Sequence, residues 1–181
     1  MENILSKRKL SVKTQILAGL VTIIAAIALP QLFHLMGKAS GLGTALGEAF
    51  LPMHLPIILA GLLCGPYVGS IAGALSPLLS FMLTGMPKIG MLPFMCIELC
   101  VYGLAAGLLR NAKMPAFFKV LIAQIAGRAV RAGAVLIGVN FLGSTAAVSV
   151  IWTSIAAGVF GIALQWALVP LIVYRLRGIS R

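Results

Sequence analysis

Residues 51–84 read LPMHLPIILAGLLCGPYVGSIAGALSPLLSFMLT, a stretch without one Asp, Glu, Lys or Arg. A membrane-spanning helix takes roughly 20 mostly apolar residues, so this run is too long for a single span. Cys64-Gly65-Pro66 divides it, because proline cannot continue a helix from the preceding turn and glycine accepts tight geometry. The reading is a short helix over 55–64 followed by a second over 67–83.

The same logic extends in both directions. Apolar stretches predict spans at 14–35, 91–109, 116–140 and 147–174. Between them lie a glycine-rich, weakly polar loop at 37–50, a turn at 84–88 and a tight loop at 143–145. The fold class is therefore an all-α integral membrane protein, a six-transmembrane-helix bundle that occupies 1–181 as one membrane domain. The apolar run 16–29 follows a basic stretch as a signal peptide would, but no convincing small-residue cleavage site ends it. It reads as the first membrane helix.

Composition agrees with a bilayer solvent. The chain is 61% hydrophobic and only 9% charged, against about 25% charged residues in a soluble domain. No segment is long enough for a soluble domain, so any nucleotide-hydrolysing engine must sit on another chain. The net charge of +11 raises nucleic acid as a partner, and the placement of the charge argues against it, because the cations gather in small groups at helix ends. Lys7, Arg8, Lys9 and Lys13 precede the first span, Arg110, Lys113 and Lys119 lie between the fourth and fifth, and Arg175, Arg177 and Arg181 close the sixth. Lys38 and Lys88 alone fall on the other side. The positive-inside rule puts both termini in the cytoplasm.

Two ridges of small residues recur at four-residue spacing: Ala18, Thr22 and Ala26 on the first span, and Gly65, Gly69 and Gly73 entering the third. Such ridges let helices approach closely, within the bundle or against a partner. Cys64, Cys96 and Cys100 have no companion ligands at zinc spacing and read as packing cysteines.

Three ionisable residues fall inside spans: Glu98, Arg128 and Arg131. Each costs about 2.5–3.5 kcal/mol at a helix centre on insertion scales, which makes it a functional hypothesis once a partner is named. Depth names the partner. Glu98 lies twelve residues from Arg110 and Arg131 twelve from Lys119, in each case roughly 18 Å along the axis. Glu98 and one of the arginines can meet at one level of two antiparallel helices.

Helical spacing gathers other groups there. Tyr102 lies one turn from Glu98 on one side, with Met91 and Met95 on the other, and Gln124 shares a stripe with Arg128 and Arg131. Asn140 and Trp152 sit towards the outer ends of the last two spans, with Gln165 deeper. His54, between Pro52 and Pro56, stands at the mouth of the second. Two arginines against one glutamate leave a positive charge that seeks an anion or a ring of acceptors. A cavity so lined suits a small polar solute. A purely structural charge pair in a non-transporting membrane scaffold is the competing reading. A small intramembrane enzyme is a third, and it lacks a nucleophile, a metal-ligand cluster and a phosphate-cradling loop.

Several stretches together resemble the substrate-binding S components of energy-coupling factor (ECF) vitamin transporters. They are Leu51-Pro52-Met53-His54-Leu55-Pro56, Leu62-Leu63-Cys64-Gly65-Pro66-Tyr67, Ser76-Pro77-Leu78-Leu79, Leu83-Thr84-Gly85-Met86-Pro87, Ile97-Glu98-Leu99-Cys100-Val101-Tyr102-Gly103 and Ala126-Gly127-Arg128. The resemblance implies a non-enzymatic, multi-pass subunit of the bacterial plasma membrane. It would capture a B vitamin or precursor in an outward cavity closed by the first loop. Its partners would be a transmembrane coupling protein and two cytoplasmic ATPase subunits, which hydrolyse ATP while this chain itself holds no cofactor. The solute would touch the first loop and the outer parts of spans four to six, and the ridge at Ala18, Thr22 and Ala26 would help to dock the coupling protein. The family's form of that ridge is Ala-x-x-x-Ala, from which Thr22 departs. The surplus arginine favours a carboxylate such as pantothenate over pyridoxine or a hydroxymethyl-pyrimidine.

Overall fold

A computed structural model describes residues 10–141 and 148–179, and among these there is no β-strand. Lys7, Arg8, Lys9 and Arg181 of the cation groups, the loop expected at 143–145, and Ala147 lie outside the described residues.

Among the described residues eight α-helices run in order: α1 (Val12–Ala39), α2 (Ala45–Phe50), α3 (His54–Cys64), α4 (Pro66–Thr84), α5 (Leu92–Leu108), α6 (Ala116–Phe141), α7 (Val150–Ala157) and α8 (Val159–Ile179). Six segments of the described residues are long and apolar enough to cross a membrane: Val12–Ala39, Ala45–Cys64, Pro66–Thr84, Ile89–Asn111, Ala116–Phe141 and Val159–Leu176.

Local chemistry sets the helix ends. The Ser11 hydroxyl accepts the Thr14 amide at 3.2 Å and caps α1. Proline occupies the first turn of both α4 and α5, where its missing N–H removes no helical bond. Gly65 turns the chain between α3 and α4 at φ 107, in the region that a side chain disfavours.

Two expectations are corrected. The stretch 37–50 is not all loop: α1 continues to Ala39, and Ala45–Phe50 forms a helical turn and a half. Alanine, leucine and glutamate there are good helix formers, and the flanking turn at Gly41 and Gly43 (φ 75 and 57) takes up the bend. The last span is not continuous either, because Gly158 separates α7 from α8. Its amide still bonds to the Ser154 carbonyl and its own carbonyl to the Ile162 amide, so the break is a kink rather than a turn.

Leu51, between α2 and α3, has φ 47 and ψ 49. The left-handed region costs a non-glycine residue roughly 1–2 kcal/mol, and it persists only where the surroundings over-determine it.

In hydrocarbon, helices associate through close packing rather than through a hydrophobic driving force. The α4–α5 contact shows this best. A Cβ on Gly69 would stand 2.6 Å from the Gly103 carbonyl oxygen, and one on Gly103 would strike the Gly69 backbone. The glycine ridge of α4 therefore works inside the bundle. Around it lies a core that includes Ile57, Ile58, Leu62, Leu99, Tyr102, Val120 and Val169. The outer face of α1, with Ile16, Leu17, Leu20 and Ile24 all more than half exposed, presents to lipid.

Candidate functional site

A cavity of about 420 Å³ opens at one end of the bundle. α1 contributes Pro30, Gln31 and His34 from its C-terminal part, and α2 contributes Gly47 and Glu48. Leu51, Pro52, Met53 and His54 come from the corner before and at the start of α3. Ser80 comes from the last turns of α4 and Met86-Pro87-Lys88 from the turn after it, Met91 and Met95 flank the start of α5, Arg131 comes from α6, and Thr153, Ser154 and Ala157 from α7. Lys13, the Arg110–Lys113 turn and Arg175 belong to the opposite helix ends.

The floor is ionic. Glu98 is completely buried. Arg131 Nη1 donates to its Oε2 at 2.7 Å, and Arg128 Nε stands 3.3 Å from its Oε1. Tyr102, one helical turn along α5, donates its hydroxyl to Oε1 at 3.2 Å. Glu98 and the arginines thus meet at one depth, as expected, and both arginines share the carboxylate. Three positions of separation on α6 place them on adjacent flanks of one face.

The same floor holds donors without acceptors. Arg131 Nε and Arg128 Nη2 are buried and lack a hydrogen-bond partner. Arg128 Nε faces the carboxylate without a directed hydrogen bond, and Nη1 lies 3.4 Å from the Ser154 carbonyl oxygen. His54 Nε2 is 4.0 Å from Glu98, with the imidazole edge-on to Tyr102 at a centroid distance of 5.1 Å. Buried donors left unmade cost free energy. With two guanidiniums, one carboxylate and unpartnered donors beside a cavity, this end can accept an anion or a group rich in oxygen acceptors. The walls above are soft: Met53, Met86, Met91 and Met95 offer thioethers that adapt to an irregular apolar shape.

Of the residues singled out by sequence, His54, Met95 and Arg131 line the cavity, with Glu98, Tyr102 and Arg128 packed behind them. Two others stand apart. Trp152 is 73% exposed, and Asn140 is exposed with its amide bonded to the Leu136 carbonyl of its own helix. Neither lines the cavity, because the rotation of α6 and α7 turns these positions outward. Nor does the ridge of Ala18, Thr22 and Ala26 face away from the bundle. Thr22 and Ala26 are buried and Ala26 belongs to the core, so the small residues seat α1 on its own neighbours.

Gln31, His34, Glu48 and Ser154 also line the cavity and were not among the residues expected there. Gln31 and His34 lie one turn apart in an otherwise apolar span, a polar stripe visible in the sequence. Glu48 is one of only three acidic residues. Ser154 carried no signal, since a lone serine in a membrane helix normally bonds to its own backbone.

A family model described as ECF transporter, substrate-specific component, matches residues 9–173, and the chain belongs to that family. No curated protein and no solved structure gives a significant match. The chain is accordingly a substrate-binding transport subunit rather than an enzyme, a multi-pass protein of the bacterial plasma membrane that works with an ECF module.

Proposed function

We propose that this S component captures a B vitamin or related precursor carrying a carboxylate, with pantothenate the first solute to try, ahead of pyridoxine or a hydroxymethyl-pyrimidine. The observation that carries the reading is the cavity floor, where Glu98 neutralises only one of two arginines and guanidinium donors of Arg131 and Arg128 remain unpartnered, with His54 beside them. A carboxylate there accepts charge-assisted hydrogen bonds, roughly twice as strong as neutral ones. The volume of about 420 Å³ lies within the usual range for small-molecule sites. The methionine walls suit an aliphatic body of irregular shape.

In this reading both termini face the cytoplasm and the cavity opens outward, consistent with basic residues gathering at the end opposite the cavity. Partner subunits, a transmembrane coupling protein and two cytoplasmic ATPases, supply the energy by hydrolysing ATP, and this chain binds solute without a cofactor of its own.

A thermal-shift screen of the purified protein in detergent against B vitamins and their precursors tests the proposal. A solute at 100 times its dissociation constant stabilises the folded state by about 2.7 kcal/mol. A carboxylate hit that is lost in Arg128→Ala supports the reading. Stabilisation by neutral solutes alone removes the carboxylate, and a flat screen with well-folded protein returns the charge cluster to a structural role.

A further inference from the structure

The corner at the end of α2, the helix that carries Glu48 at the cavity, rests on a stripe of α8 and its entrance. Gly158, Gly161 and Gln165 fall at spacings of three and four and so share one helix face. A Cβ on Gly161 would strike the Phe50 carbonyl, and one on Gly158 would stand 2.6 Å from Leu51 Cδ1. Gln165, almost fully buried, donates its amide to the Leu51 carbonyl at 3.4 Å. Phe50 and the strained residue Leu51 are therefore held by three successive points of one face, Gly161 at Phe50 and Gly158 and Gln165 at Leu51.

Gln165 is itself oriented. Trp166 Nε1 donates to Gln124 Oε1 at 2.6 Å, and Gln124 Nε2 donates to Gln165 Oε1 at 2.9 Å. With its oxygen so engaged, the amide nitrogen of Gln165 is left to point at Leu51. Gln124 lies one turn from Arg128 on α6, so the chain of amides runs from behind the cavity floor to the hinge of the segment that covers it.

We propose that Gln165, Gly161 and Gly158 form a latch that keeps α2 closed over the cavity, with Gln165 as the positioning residue. None of the three lines the cavity. They act on access to it through Phe50 and Leu51. The inference rests on the solute-binding reading only for the purpose of the cavity, and its test uses no solute, so a flat solute screen and a failed latch are separate results.

The test is thiol accessibility in full-length protein. Cys96→Ala and Cys100→Ala leave Cys64, at the opposite end of α3, as an internal control, and Ser80→Cys places a probe in the buried cavity wall. The reagent is a charged, membrane-impermeant methanethiosulfonate. Gln165→Leu and, separately, Gly161→Ala should speed modification at position 80 by about three- to tenfold, the factor that one neutral hydrogen bond contributes, with the rate at Cys64 unchanged. An unchanged rate at position 80, or an equal rise at both cysteines from general loosening, overturns the proposal. Should Gln165→Leu fail to fold, Gly161→Ala decides alone, since it leaves the amide chain intact.

Discussion

Replacing Glu98 by glutamine removes one charge and almost no volume from the centre of the cluster. In the native protein the carboxylate takes Arg131 Nη1 at 2.7 Å and faces Arg128 Nε at 3.3 Å, and the arginine side chains are only 10% and 12% exposed. Deleting one partner of a buried ion pair costs about 3–5 kcal/mol, because the remaining charge stays buried without compensation. Two features place Glu98→Gln at the lower end. The glutamine oxygen still accepts from Arg131, and the cavity beside Arg131 admits water. A loss of about 3 kcal/mol corresponds to a fall in Tm of about 6–12 °C at the 2–4 °C per kcal/mol expected for 150–250 residues. Thermal unfolding in detergent reads this directly. The double variant Glu98→Gln/Arg131→Gln takes out both charges of the shortest pair and should recover about 1–3 kcal/mol relative to the sum of the single variants. A Tm shift below about 2 °C for Glu98→Gln, or strict additivity in the cycle, would refute the buried-pair account.

Other substitutions separate binding from stability. His54→Met removes the buried imidazole from the cavity wall, so Tm should change less than in Glu98→Gln, whereas the affinity for the carboxylate solute, measured by calorimetry, should fall at least tenfold, as for one charge-assisted hydrogen bond. Asn140→Ala and Trp152→Ala lie outside the cavity and should leave that affinity within about twofold, well under the 1.4 kcal/mol that a tenfold change represents. Gly103→Ala drives a methyl into the Gly69 backbone. An overpacked contact of this kind costs about 1–3 kcal/mol or more, visible as a lower Tm with an unchanged solute preference.

Much of the architecture is written in linear order. Hydrophobic length gives six spans, and the Cys64-Gly65-Pro66 corner falls where α3 meets α4 because proline and glycine act locally. The ionic floor was legible as well, since a fixed rise per residue puts Glu98 and Arg131 at equal distances from the ends of neighbouring antiparallel helices. The short helix α2 was harder to see. Six residues between positive-φ positions carry little periodicity, and their helical turn is stabilised by what they touch: Phe50 rests on Gly161, and Gly47 sits against His34.

Rotation about each helix axis was decided by tertiary structure alone. Sequence placed Trp152 and Asn140 at the cavity's depth, and packing turned both outward while bringing Ser154 in. It likewise turned Ala18, Thr22 and Ala26 onto the bundle and left Ile16, Leu17 and Leu20 to lipid. In a water-soluble protein an apolar stripe would have declared which face is buried. Here lipid and protein interior are equally apolar, so residues on both faces look alike and only close packing among neighbouring helices selects the inward one. Depth follows from counting along the chain. Azimuth follows from contacts that no single helix contains.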